Sequence, residues 1–163
     1  MKKFVILLAL AFSLFVYLFY RSSATVAPLL LAQIMGQESF LAVRAAVRAH
    51  VWLDEFAVYS LPEGLWVLCL TLASRGLTIS VGKCLVPLDL LPPAYAVGLE
   101  LAQGLGLVRG RFDPVDIAVS LWLWTAGVLL HPSLSRNLAL KPDRRLLALA
   151  GCWSIVYLAH VQS

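Results

Sequence analysis

Seven residues carry the chemistry this chain has to offer: Glu63, Glu100, Gln103, Arg109, Arg111, Asp113 and Asp116. All but Glu63 fall in one stretch, ELAQGLGLVRGRFDPVD, between two apolar segments. Carboxylates and an amide oxygen accept donors, and neighbouring arginines hold anionic groups. This combination suits recognition of a polar or anionic group. Catalysis finds no matching set: no GxSxG, nucleotide-binding or kinase signature occurs, and Ser60 and Ser120 are accounted for by helix capping and packing. His50, His131 and His160 each stand alone without ligand spacing, so neither a metal nor a cofactor is expected. Cys69, Cys84 and Cys152 form no CxxC pair and read as packing residues.

The elements that must position these groups are strongly apolar. Of 163 residues, 61% are hydrophobic and 13% charged, and the mean hydropathy is +0.85. A soluble domain is nearer about 25% charged. The expectation is therefore an all-α integral membrane bundle, a single domain over 1–163, in which a charge facing lipid costs about 3 kcal/mol. Crossing ~30 Å of hydrocarbon takes about 20 helical residues. Five segments qualify at residues 4–20, 61–74, 85–106, 114–131 and 146–160. The first reads as a retained helix rather than a signal peptide, because its apolar run is long and ends on Tyr17 and Tyr20. The third is interrupted by Pro87, Asp89, Pro92 and Pro93, and Gly76 to Leu91 is alternatively a partial entry that breaks at the double proline. A sixth helix at 39–50 is amphipathic and interfacial, with Arg44 and Arg48 one turn apart and able to reach lipid headgroups.

Local signals set the helix starts. Ser60-Leu61-Pro62-Glu63 is a capping-box pattern, and Asp113-Pro114-Val115-Asp116 places a cap, a first-turn proline and a dipole-favoured acid in order. Ala94, Gly98, Ala102 and Gly106 recur every four residues, the stripe that lets membrane helices approach closely. Asp113, Asp116, Ser120, Trp124, Gly127 and His131 share one face of the next helix. Glu100 and Gln103 share another, with Arg109 or Arg111 as partner for Glu100 if the Gly-containing link folds back.

Loop charge orients the bundle. With the N-terminus inside, the inner loops hold Lys2, Lys3, Arg75, Lys83, Arg136, Lys141, Arg144 and Arg145, against Arg21, Arg44, Arg48, Arg109 and Arg111 outside. That bias favours a cytoplasmic N-terminus in the inner membrane and puts the polar cluster on the extracytoplasmic side.

The order Glu100, Gln103, a Gly-containing link, Arg109 or Arg111, Phe112, Asp113, Asp116 and then IAVSLWLWTAG resembles the VanZ-like family of small multi-pass bacterial membrane proteins, over residues 98–127. The family's Asn near the position of Ser120 and its glycine-rich steps are absent, apart from Gly127. The resemblance implies a non-enzymatic envelope role linked to glycopeptide-antibiotic resistance. Together these readings predict binding of a lipid headgroup, a cell-wall intermediate or an antibiotic at the polar cluster. The alternatives are a small oligomeric transporter and a membrane assembly or accessory subunit. Partners would be membrane lipid, an envelope protein or further copies of the chain; nothing in the basic residues suggests nucleic acid.

Overall fold

The computed structural model describes residues 2–21, 26–81, 84–108, 110–130, 150–151 and 153–154. The chain runs α1 (Lys2–Phe19), α2 (Val26–Met35), α3 (Gln37–His50), α4 (Glu55–Ser74), β1 (Thr78–Val81), β2 (Cys84–Pro87), a 3-10 turn (Leu88–Leu90), α5 (Leu91–Gly104) and α6 (Pro114–Leu130). α4 is the centre, packed by α1, α5 and α6.

α4 begins earlier than its sequence suggests. Asp54 caps it, accepting a hydrogen bond from the Ala57 amide at 2.8 Å, so Ser60–Glu63 is no capping box and Pro62 lies inside the helix. Pro62 offers no amide to the helix ladder, yet it is enclosed, and its own carbonyl accepts from Ser13 Oγ of α1 at 3.4 Å. α1 turns Ala9, Ser13, Val16 and Tyr17 inward, a helical stripe against α4. Trp66, Val67, Leu70 and Ala96 form one core cluster, and Leu68, Leu72 and Leu123 another. Beside the first, Trp66, Tyr95 and Trp153 meet edge-on or tilted, with ring centroids 5.6–6.3 Å apart.

The α4–α6 seam depends on two glycines. A Cβ on Gly64 would sit 2.6 Å from both Leu123 Cδ1 and Val119 Cγ1, and 3.2 Å from the Val119 carbonyl oxygen. A Cβ on Gly127 would meet Leu68 at 3.1 Å and Thr71 at 3.2 Å. The small-residue stripe of α5 has no such role: Ala94 and Gly98 are exposed, and nothing lies within 4 Å of a Cβ added at Gly98.

The five-crossing membrane bundle is not what forms. The helical class holds, but among the described residues only Glu55–Ser74 is long and apolar enough to cross a bilayer by length and composition, and 67% of its apolar window is buried inside the fold. Lys3–Phe19 and Pro114–Leu130 are apolar but shorter. The third segment opens as a hairpin, with Thr78 opposite Pro87 and Val81 opposite Cys84. β-branched Thr78, Ile79, Val81 and Val86 suit strands, and Gly76 supplies the positive φ of 80° at the turn out of α4. α5 has only 14 residues, about 21 Å of rise. Asp89, which interrupts the third segment, is buried on the 3-10 turn and paired with Arg75, while its carbonyl accepts from Trp124 Nε1 at 2.9 Å.

The predicted interfacial helix also has another task. Arg44 and Arg48 of α3 turn back onto the C-terminal end of α1, each donating to the Phe19 carbonyl, at 2.9 and 2.6 Å. Arg44 also donates to the Arg21 carbonyl, and Arg48 to that of Tyr20 at 3.0 Å. Two cations thus satisfy carbonyls that a helix end leaves without partners, where the helix dipole is negative.

With these changes the inside–outside assignment, the multi-pass inner-membrane localisation and the outer position of the polar cluster lose their basis. The segment 146–160, Lys83 and the basic run from Arg136 to Arg145 lie largely or wholly outside the described residues. The apolar excess does not all enter the core: Trp52, Ile34, Leu105, Leu107, Leu129 and Trp122 are 70–85% exposed, so high hydropathy here does not measure core size.

Two substitutions test the seam. Gly64→Ala is expected to destabilise the fold by about 1–3 kcal/mol through overpacking. Gly98→Ala, on an open face, should stabilise it by up to about 1 kcal/mol by restricting the unfolded chain. Urea denaturation of both variants reads the difference; equal effects would mean that α4 and α6 do not meet at Gly64.

Candidate functional site

The α4–α6 seam carries acids at its upper end. Glu63 precedes Gly64, the point of closest approach, and Asp116 lies in the first turn of α6, where unpaired amides favour an anion. Glu100 comes in from α5. One oxygen from each of Glu63, Glu100 and Asp116 lies within 4.8 Å of the others, and the three residues are 6%, 3% and 9% exposed.

Glu100 also holds the link between α5 and α6. Its Oε2 accepts from the Asp113 amide at 2.8 Å. With its amide nitrogen turned toward these acceptors, Gln103 donates to Glu100 Oε1 at 3.3 Å and to the Arg111 carbonyl at 3.1 Å. Gly110 makes this approach feasible: it has φ 142°, and a Cβ there would fall within 2.6 Å of the Gln103 side-chain amide. Asp113 caps α6, its Oδ1 accepting from the Val115 amide at 2.8 Å.

The seven residues singled out from sequence therefore separate. Glu63, Glu100 and Asp116 converge; Gln103 and Asp113 brace Glu100 from outside. The Arg111 side chain is exposed, and only its carbonyl takes part. Arg109 lies outside the described residues. The expected outer mouth of acids and arginines, open to a headgroup, a cell-wall intermediate or an antibiotic, is replaced by a buried acidic centre. The physical reason is packing: the helices close over the acids, and Glu100 is met by the Asp113 amide and the Gln103 side chain while the Arg111 side chain is exposed.

Three neighbours were not legible as site residues. Arg21, at the end of α1, donates to Tyr17 Oη at 2.7 Å and lies over the Tyr17 ring at 4.9 Å and the Tyr59 ring at 5.8 Å. In sequence Tyr17 reads with Tyr20 as the end of the first apolar run, and Arg21 as an outer-loop charge. Ser120, one turn beyond Asp116, is 1% exposed, and among the described residues its Oγ has no hydrogen-bond partner; the same holds for Asp116 Oδ1.

Burial and like charge shape the acids. Loss of solvent, then the Asp116 carboxylate, push the Glu63 carboxyl up to about 7, while Arg21 acts the other way. Glu100 is also raised by burial, against the lowering effect of the Asp113 amide. The Tyr17 phenol is raised by burial, with Arg21 opposing and Glu63 and Asp116 adding to the shift, which places its hydroxyl within electrostatic reach of the acids. The donor set is all oxygen; among the described residues no histidine or cysteine joins it. Such a set suits protons and hard cations.

No protein-family model, curated protein or solved structure matches this chain. The resemblance to the VanZ-like family thus rests on its polar skeleton alone.

Glu63 leaves a signature in stability. Its carboxyl ionises near 4.5 unfolded and about 7 folded, so its protonated form favours the fold fully below pH 4.5. That advantage is lost as pH rises toward 7, at a total cost of about 3 kcal/mol. In chelator-treated buffer, Glu63→Gln should be stabilised relative to wild type, increasingly from pH 4.5 to 8. Parallel stability curves by urea denaturation would show that Glu63 does not titrate this way.

Proposed function

We propose that this protein is a non-enzymatic binding protein whose ligand is a small cation held by Glu63, Glu100 and Asp116. The observation that carries the reading is the convergence of three carboxylates, one from each of three helices, within 4.8 Å; among the described residues, Asp116 Oδ1 and, one turn along the same helix, Ser120 Oγ are buried with no hydrogen-bond partner. Buried acids this close repel one another unless protons or a cation lie between them. Buried polar atoms without partners are rare, and a cation answers both costs at once. The burial limits the ligand's size, since each of the three acids is at most 9% exposed. Larger anionic ligands are disfavoured by the sign of the site.

The elements that carry the acids are rigid ones. Glu63 and Asp116 stand on the helices joined at Gly64, and Glu100 is braced by Asp113 and Gln103. Ligands fixed by packing and by outer hydrogen bonds are what a binding site requires.

The test is thermal unfolding of the purified full chain after chelator treatment, with Na⁺, K⁺, Mg²⁺, Ca²⁺ and Mn²⁺ added singly. At least one of them should raise the Tm; a cation at a hundred times its Kd stabilises by about 2.7 kcal/mol. Asp116→Asn should abolish the increase without unfolding the protein. Absence of any shift with all five cations would overturn the reading and leave the acids as shared-proton packing residues.

A further inference from the structure

α6 turns outward a face that carries no charge. Its one ionisable residue is Asp116, and that side chain is buried beside Glu63 and Glu100. Val115, Ala118, Trp122, Thr125 and Leu129 are all exposed, flanked by Leu121 and Leu130. They recur in alternating steps of three and four, the spacing along which two helices pack side by side. Thr125 adds no free donor, because its hydroxyl donates to the Leu121 carbonyl at 2.8 Å. The exposed side of α3 differs in kind: it carries Glu38, Arg48 and His50 and suits water. A helix with no charge on its exposed side is one that another apolar surface covers.

We propose that α6 is a dimer interface, its outer face packing antiparallel on the same face of a second copy of this chain. The area suits that partner. Trp122 is 70% exposed and Leu129 73%. With Val115, Leu121 and Leu130 they present roughly 600 Å² of apolar surface, to which Pro114, Ala118 and Thr125 add, against about 800 Å² per partner in a standard interface. The pattern is also self-complementary. Val115, Trp122 and Leu129 are large, the intervening Ala118 and Thr125 are small, and antiparallel packing sets each class opposite the other. Parallel pairing would instead set Trp122 against Trp122 and align the two helix dipoles. A two-fold axis brings the patch onto its own copy, and a patch without charge meets no repulsion there.

Other occupants fit this face less well. The 17 residues of α6 rise about 26 Å, short of the ~30 Å of a bilayer's hydrocarbon. A helix lying in a membrane surface is rich in Lys and Arg on its polar side, and α6 has neither. Residues 131–149 follow α6 directly but bring Arg136, Lys141, Asp143, Arg144 and Arg145, charges for which the face has no counterpart. Trp153 meets Trp66 of α4 and Tyr95 of α5 rather than the outer side of α6. α1 also turns Phe4, Leu7, Leu8 and Leu14 outward. Its stripe starts beside the exposed Lys3, however, and sets large residues at consecutive steps, without the large–small alternation of α6.

The experiment is analytical ultracentrifugation of the purified full chain over a concentration series, in chelator so that the outcome does not depend on the cation site. Wild type should sediment as a dimer at micromolar concentration. Trp122→Lys combined with Leu129→Lys should raise the dissociation constant at least about thirtyfold, the scale of one lost tryptophan hot spot. The urea midpoint should hold, because both side chains face outward. Leu41→Lys on α3 and Leu7→Lys on α1 should leave the dimer intact. Should the paired lysine variant fail to fold, spin labels on Leu129→Cys, in a chain whose own cysteines are replaced by alanine, decide instead. They should lie on the order of 20 Å apart across an antiparallel pair, and about 10 Å apart across a parallel one. Labels beyond ~40 Å would take α6 out of the interface. A monomeric wild type would overturn the proposal, whether it stays free in solution or binds lipid vesicles through Trp122 and Leu129. A dimer untouched by the α6 substitutions, or broken by Leu7→Lys, would also overturn it by moving the interface elsewhere.

Discussion

α4 and α6 approach each other where neither places a side chain between them. At Gly64 even a methyl group would overlap Leu123 and Val119, and at Gly127 it would press on Leu68 and Thr71. This steric constraint does more than join two helices. Because Glu63 is the residue before Gly64, closing the seam carries its carboxylate to the first turn of α6, where Asp116 waits. A wider crossing would separate the acids and let water between them; the close one excludes water and sets two carboxyl groups side by side, which pushes the Glu63 carboxyl up.

The cost of that arrangement is met by its surroundings. The α6 dipole favours Asp116, Arg21 acts on Glu63, and the Asp113 amide donates to Glu100. Outside these lies the bracing of the α5–α6 link by Gln103, possible because Gly110 leaves room for it. At the opposite end of α4 a conventional solution appears: Arg75 and Asp89 are both mostly buried and bind one another. There the charge is neutralised by a direct ion pair, whereas around Glu63 three acids converge, one oxygen from each within 4.8 Å of the others.

Apolar composition misleads in this chain because it counts residues without their distribution. A bilayer requires length as well as hydropathy, and here the apolar runs are cut short. Asp54 starts α4 ahead of the expected capping box, the β-branched residues after Gly76 form a hairpin, and α5 ends after 14 residues. Arginines of α3 that look suited to lipid phosphate find carbonyls at the end of α1 instead. The stripe of small residues on α5 has the spacing of a packing seam but faces outward, while the glycines that do admit a neighbour, Gly64 and Gly127, belong to no such repeat.

By itself, the sequence determined the helical class, the aspartate–proline start of α6 and the identity of the acids, because capping chemistry and helical periodicity act within a few residues. It also placed Glu100 and Gln103 on one face of one helix. What only the tertiary structure decided is which acids meet. Glu63 is far from Glu100 and Asp116 along the chain, and their convergence depends on a steric fit at Gly64 that no local pattern records. The same holds for Arg21 and Ser120. An arginine after an apolar run and a serine on a helix face are ordinary in sequence; only packing sets Arg21 over the Tyr17 and Tyr59 rings and leaves the Ser120 hydroxyl buried with no partner among the described residues.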